Sequence, residues 1–127
     1  MDELSKIEAW IETLNFGEWS DDEDEQLKWL AARDSPQFDS QWMRIFDLVK
    51  VQEEDFPLSE SERQKITDIR RVGYFTTMKW AVENEVPAYA SDDFELLARA
   101  ARVGLTDFWL DKLRAKYQRG EFPHGVL

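Results

Sequence analysis

The sequence has no cysteine, a single histidine and only five glycines in 127 residues. The absence of cysteine excludes disulfides, zinc–thiolate sites, iron–sulfur clusters and a cysteine nucleophile. One histidine leaves little for a histidine-based triad or metal site, and neither a Gly-x-Ser-x-Gly motif nor a Walker glycine loop occurs. The sequence therefore predicts no catalytic residue, no metal site and no cofactor.

Long hydrophobic runs are also missing. No apolar stretch approaches the roughly 20 residues that a membrane span needs, and the first residues, MDELSKIEAWIETL, lack the basic and continuous apolar regions of a secretion signal. We therefore expect a cytoplasmic protein that does not contact a membrane. With 27 acidic against 16 basic side chains the net charge is -11. This charge disfavours direct nucleic-acid binding, because Lys and Arg supply most of that affinity, and it favours a basic protein partner.

Apolar content and periodicity indicate the fold class. Hydrophobic residues make up 43% and aromatic residues 13% of the chain, too much for intrinsic disorder. Apolar residues recur at helical spacing almost everywhere, without a clean two-residue alternation. The sequence predicts one all-α domain over residues 1–127, a compact irregular bundle of five to six helices. Residues 118–127 are predicted to form an irregular tail that leaves His124 solvated.

Helix boundaries carry local chemical signals. One helix is expected to begin at Ser35–Pro36, with proline at its first position. A capping box is expected at Ser59 with Glu62. Glycine is expected to follow the last turn of a helix at Gly104 and at Gly120. The second helix is predicted to begin near Ser20, and the helix after Ser59 to continue to about Glu85. Pro87 is then expected to break that helix, Asp92 to start the next, and Thr106 to cap the last. The predicted core includes Trp42, Ile45, Ile69 and Trp80.

The excess of negative charge lies in the first half of the chain. Up to Glu62 there are 18 acidic and 5 basic residues, and after it 9 acidic and 11 basic ones. The acids are densest at Glu18, Asp21, Asp22, Glu23, Asp24 and Glu25, with a second group at Glu53, Glu54, Asp55, Glu60 and Glu62. Only a few acids can stabilise one helix start through its dipole, and the others repel one another. Two interpretations remain open, a solvated segment that aids solubility and a recognition surface.

Tryptophans beside these acids are candidate anchors, since interface hot spots favour Trp, Tyr and Arg. Trp19 and Trp29 depart from the cleanest apolar stripes. The candidate partner-binding residues are therefore Glu18, Trp19, Asp21, Asp22, Asp24, Glu25 and Trp29.

Metal-dependent chemistry has little support in these acids. An EF-hand loop counted from Asp21 places Gln26 at the sixth position and Ala32 at the twelfth, where glycine and glutamate are required. Asp22 and Glu25 form one pair of the kind that helical nucleotide pyrophosphatases use, but a facing second pair is missing. A metal-dependent enzyme acting on a small molecule is the weakest alternative.

One segment resembles a known group of proteins. Ala81–Gly104, AVENEVPAYASDDFELLARAARVG, has a helix end followed by Val86, Pro87 and Tyr89, and then an acid that opens an apolar helix. This stretch resembles one in small phage and plasmid proteins, including acidic antirestriction proteins that mimic DNA. The resemblance implies an acidic protein that occupies a nucleic-acid-binding surface. Because the second half of this chain is net positive, only a local acidic face is expected.

The leading functional hypothesis is a small antagonist of the immunity or anti-defence type, whose acidic face covers the basic, nucleic-acid-binding surface of a protein target. The alternative is a helical adaptor or structural subunit that buries an apolar face against another chain. A contiguous acidic patch around an aromatic side chain would favour the antagonist, and a large exposed apolar patch the adaptor.

Overall fold

The computed structural model describes residues 2–127, which form six α-helices and no strand. The all-α prediction is confirmed. The helices are α1 (Glu3–Glu12), α2 (Glu23–Arg33), α3 (Pro36–Asp55), α4 (Glu60–Met78), α5 (Glu85–Arg102) and α6 (Phe108–Gln118). Within the described residues, none of these helices is both long and apolar enough to cross a membrane.

Several boundaries follow local chemistry as predicted. Pro36 opens α3, and Ser59 and Glu62 form a reciprocal capping box at the start of α4. Gly104 and Gly120 follow α5 and α6 with φ angles of 70° and 75°, a backbone conformation that glycine adopts without a Cβ clash.

Two N-caps differ from the predicted ones. Asp22 rather than Ser20 caps α2, because its carboxylate accepts the Asp24 N–H at 2.9 Å. Asp107 rather than Thr106 caps α6 and accepts the N–H groups of Trp109 and Leu110. In both cases an acidic side chain one or two residues further along takes the capping position.

The predicted break at Pro87 is wrong. The helices separate earlier, between Met78 and Glu85, and Pro87 lies in the first turn of α5. A proline is tolerated there because a first-turn N–H has no acceptor within the helix. As a result Asp92 lies in the middle of α5 rather than at a helix start.

The predicted core is correct for Ile45 and Ile69, which are fully buried, whereas Trp42 is half-buried. Trp80 is not a core residue. It lies in the loop after α4 and is 37% exposed, because the helix ends before it.

Helix α5 is the centre of the bundle. It runs antiparallel to α4, α1 packs across both, and α3 lies alongside α5. Gly73 of α4 and Phe94 of α5 are in tight contact, since a Cβ on Gly73 would lie 2.4 Å from the Phe94 ring. Side chains of the neighbouring helices therefore pack against α5.

The C-terminal segment packs onto α2. Phe122 and Pro123 are buried, and the Gly125 N–H donates to the Ala32 carbonyl. His124 is not solvated as predicted: it is half-buried and stacks on Trp29 with ring centroids 6.1 Å apart. Burial lowers the pKa of His124, and the nearby charge of Lys116 adds to that effect.

A buried ion pair between α2 and α5 was missed in the sequence. The Arg33 guanidinium binds both carboxylate oxygens of Asp93, at 2.6 and 2.9 Å. Asp93 is fully buried and Arg33 is nearly so. Although burial disfavours the charged guanidinium, the Asp93 carboxylate raises the pKa of Arg33. The pair is therefore charged and removed from water.

Asp93 also joins two further helices. It accepts the indole N–H of Trp42 from α3 at 2.9 Å and the hydroxyl of Tyr117 from α6. Burial raises the pKa of Tyr117 well above its usual value, and the Asp93 charge adds to this, so the phenol stays protonated as a donor. We call Arg33, Trp42, Asp93 and Tyr117 the Asp93 cluster. It connects four of the six helices.

Ion pairs between the acidic first half and the basic second half lie around this core. Glu53 binds Arg99, and Glu62 binds Arg102 at 2.5 Å. Arg70 instead binds Asp92 and Glu95 of the second half.

Glu62 should make the stability of the protein acid-sensitive. Hydrogen bonds from Arg102 and from the Ser59 backbone lower the pKa of Glu62 to about 2. A carboxylate whose pKa is lowered on folding stabilises the protein above its unfolded pKa, near 4.5, and loses that effect as the pH falls toward 2. We expect Glu62→Gln, which keeps the capping geometry, to lower the melting temperature at pH 7 and to have little effect at pH 2. Thermal unfolding followed by circular dichroism measures both values, and an equal difference at the two pH values would contradict this role.

Candidate partner-binding surface

The acidic segment, residues 18–25, precedes α2 and forms its first turn. Its six carboxylates are all exposed, and none of them takes part in an ion pair among residues 2–127; they are Glu18, Asp21, Asp22, Glu23, Asp24 and Glu25. Asp22 alone caps the helix. No basic side chain of the described chain therefore forms an ion pair with the other five carboxylates.

Two members of the second acidic group differ from the first group, whereas Glu54, Asp55 and Glu60 are exposed and form no ion pair within residues 2–127. Glu53 and Glu62 are each bound by an arginine, and Glu62 also completes the capping box of α4. These two acids hold helices together. The sequence alone gives no means of separating the two groups, because their arginine partners lie about 40 residues or more further along the chain.

Gln26 attaches the acidic segment to the loop between α4 and α5. Its fully buried side-chain amide donates to the carbonyls of Ser20 and Trp80 and accepts the Val82 N–H at 2.9 Å. The contact spans 56 residues between Gln26 and Val82. A buried amide with partners on both sides fixes the segment next to this loop.

Exposed apolar side chains therefore lie beside the acids. Trp80 is 37%, Leu27 45% and Val82 47% exposed, and we call these three residues the Trp80 surface. Leu27 lies one turn after Glu23 on the same side of α2. Glu23 in turn contacts Glu83, the neighbour of Val82.

Contact between two like charges occurs at this edge. A hydrogen bond with the Glu23 carboxyl raises the pKa of Glu83, and burial and the charges of Glu23 and Glu85 act in the same direction. The neighbouring carboxylates thus make the potential at this edge negative.

Trp19 and Trp29, the predicted anchors, are half-buried in an aromatic cluster beneath the acidic segment. Their rings lie 5.6 Å apart, and each is 5.8 Å from the buried Phe122 ring. The indole nitrogen of Trp19 is buried and has no hydrogen-bond partner within residues 2–127. These two rings pack beneath the acidic segment. The side chain of Trp80, by contrast, is more exposed to solvent. Trp80 was missed because periodicity alone placed it on a buried helical face.

Neither metal chemistry nor a large pocket is evident nearby. Among residues 2–127, His, Asp and Glu side chains form no group of three that is arranged to hold a metal ion. A concave site of about 160 Å³ lies elsewhere, between α2, α3 and α5.

Comparison with known proteins gave one match. The family described as Immunity protein PIM1 matches residues 6–124, nearly the whole chain. Its description is that of an immunity family and not of the antirestriction proteins that Ala81–Gly104 resembles. No curated protein and no solved structure matches the chain.

Proposed function

This chain belongs to the immunity protein PIM1 family, and we propose that it is an antagonist that covers the basic, nucleic-acid-binding surface of a toxin. Immunity-type proteins bind a protein partner. The net charge of -11 agrees with a basic partner and disfavours a direct complex with nucleic acid. The proposed contact residues are Glu18, Asp21, Asp22, Asp24 and Glu25 of the acidic segment.

The observation that carries this proposal is the unpaired state of the acidic segment. In the second acidic group Glu53 and Glu62 are paired with arginines, and fewer acids, Glu54, Asp55 and Glu60, are exposed and unpaired. Six exposed, unpaired carboxylates within eight residues repel one another and stabilise the fold only through one helix start. Opposite charge on a partner relieves that repulsion and accelerates association.

The Trp80 surface supplies the apolar part of the interface. Charged rims act mainly on the association rate, and buried aromatic anchors act mainly on the dissociation rate. Trp80 replaces Trp19 and Trp29 as the proposed anchor, because those two rings are already packed against Phe122. They remain part of the proposed surface as its support.

Changing the charge of the acidic segment tests the proposal. We expect the combined changes Asp21→Lys, Asp22→Asn, Asp24→Lys and Glu25→Lys to slow association with the toxin by roughly tenfold or more at low ionic strength. Asparagine at position 22 keeps the helix cap, so the fold should remain intact. Stopped-flow association at several salt concentrations measures the effect, and most of the salt dependence should disappear.

A matched control places the same change of charge elsewhere. Asp47→Lys, Glu54→Lys, Asp55→Asn and Glu60→Lys alter exposed acids outside the segment and should change the association rate much less. Trp80→Ala should instead raise the dissociation rate. Equal association rates for the two charge variants would reduce the acidic segment to a solubilising role and favour the adaptor alternative.

A further inference from the structure

We propose that the cavity between α2, α3 and α5 receives an arginine side chain of the protein partner. The assignment adds a second contact to the interface and rests on the proposed function for the identity of the partner. The cavity of about 160 Å³ is about ten times what one water needs, and it is below the roughly 300–1,000 Å³ of typical small-molecule pockets. It therefore suits a single side chain.

Aromatic rings form much of the cavity wall. Phe38 and Trp42 of α3 and Tyr89 of α5 line it. The Trp42 ring is held in place, since its indole N–H donates to Asp93 and its face stacks on Phe46 at 5.6 Å. Flat, fixed aromatic faces bind a planar guanidinium through cation–π contact and stacking.

Three carboxylates complete the lining, from Asp34, Asp39 and Asp92. Asp92 is shared with Arg70, whereas Asp34 and Asp39 are exposed and form no ion pair within residues 2–127. The one basic group of the lining, Arg33, is already neutralised by Asp93. The site is therefore net negative.

Tyr89 reports the sign of the potential inside the cavity. Burial raises the pKa of its phenol, and the charges of Asp34, Glu85 and Asp92 raise it further. The charge of Arg33 opposes them. The balance of these charges disfavours an anion and favours a cation at this position.

The fold already stabilises one guanidinium by the same means. The Arg33 guanidinium lies 4.2 Å from the Phe38 ring centroid and 5.1 Å from that of Tyr89, with Asp93 as its counter-ion. Phe38 and Tyr89 are also the rings that line the cavity. A second arginine entering from outside would meet the half-exposed rings of Trp42 and Tyr89 together with the free carboxylates of Asp34 and Asp39.

A protein is the favoured source of this arginine because the cavity continues into a groove. Trp42 and Met43 also line a more open depression of about 340 Å³ that extends past Phe46 between α3 and α5. The depression offers room for the chain that carries the arginine. A free small molecule would leave it empty.

Nuclear magnetic resonance with a defined probe tests the assignment without the toxin. N-acetyl-arginine amide is titrated into the full-length protein, and the indole N–H signals of Trp42 and Trp80 are followed. We expect a saturable shift at Trp42. The neutral analogue N-acetyl-citrulline amide should give none, because its urea group has the same shape without the charge.

Paired variants locate the binding. Asp34→Asn with Asp39→Asn should weaken the Trp42 titration roughly three- to tenfold, as expected for the loss of two exposed charge contacts. The matched control, Asp21→Asn with Asp22→Asn, removes the same charge from the acidic segment and should leave that titration unchanged. Equal weakening by both pairs, an equal response to citrulline, or no saturable shift at Trp42 would each overturn the proposal.

The two proposals fail separately in these experiments. The first possible result is that arginine shifts the Trp42 indole signal while charge changes in the acidic segment leave the rate of association with the toxin unaltered. That result supports the cavity assignment and contradicts the proposed interface. The opposite result is that the charge changes slow association with the toxin but arginine gives no saturable shift at Trp42. That result supports the proposed interface and contradicts the cavity assignment.

Discussion

Asp93→Ala should lower the free energy of unfolding by about 3–5 kcal/mol, the usual result of removing one partner of a buried ion pair. The change leaves the Arg33 guanidinium buried beside apolar rings without its counter-ion. It also removes the acceptor of the Trp42 indole and of the Tyr117 hydroxyl. Since whole domains are stable by only about 5–15 kcal/mol, the variant should be close to unfolding at room temperature. Urea denaturation followed by circular dichroism measures the loss.

Companion variants separate charge from packing. Tyr117→Phe removes one hydrogen bond to Asp93 and should cost about 1 kcal/mol. Arg33→Met combined with Asp93→Leu removes both charges and should be much less destabilising than Asp93→Ala, because no buried charge is left unpaired. A loss below about 1 kcal/mol in Asp93→Ala would mean that water reaches the cluster.

Local signals explain why four helix ends could be predicted. Ser59 and Glu62 satisfy each other's backbone donors within four residues, and Gly104 and Gly120 adopt a conformation that suits glycine in any context. Pro87 gave a wrong boundary because proline is compatible with a helix end and with a first turn. Only the packing of the segment against α4 distinguishes the two.

Long-range contacts explain what sequence reasoning missed. Arg33 and Asp93 are 60 residues apart, and Gln26 meets Val82 across 56. Periodicity shows that a residue lies on an apolar face, but it does not show which distant polar group lies opposite. The partners of Asp93 could therefore not be predicted. The acidic segment, by contrast, was visible because its six acids lie within eight consecutive residues.

Both a local feature, the end of α4, and a long-range contact, the one with Gln26, determine where Trp80 lies. Its spacing from Ile69 fits a buried helical stripe, and the prediction failed because α4 stops at Met78. The loop that follows turns Trp80 toward the acidic segment, where Gln26 binds its carbonyl. The exposed aromatic of the candidate site thus arises from a helix end that has no glycine or proline to mark it.

Gly73 and Phe94 should show strong energetic coupling at the contact between α4 and α5. In an exposed helix Gly→Ala is stabilising by about 1 kcal/mol. Here the added Cβ would lie 2.4 Å from Cδ2 of the fully buried Phe94 ring, so Gly73→Ala should instead destabilise by about 1–3 kcal/mol. Phe94→Ala should cost about 3–5 kcal/mol, since the ring also packs 4.6 Å from that of Tyr117.

The double variant Gly73→Ala/Phe94→Ala decides whether the ring causes the Gly73 effect. Once Phe94 is truncated, the Gly73 Cβ enters vacated space and its helix preference is recovered. The double variant should therefore be more stable than the sum of the single changes predicts, by about 2–4 kcal/mol in a double-mutant cycle. Phe75→Ala provides the control, because Phe75 is exposed on the same helix and should combine additively with Gly73→Ala. Additivity in both pairs would show that the backbone of α4, and not the Phe94 ring, requires glycine at position 73.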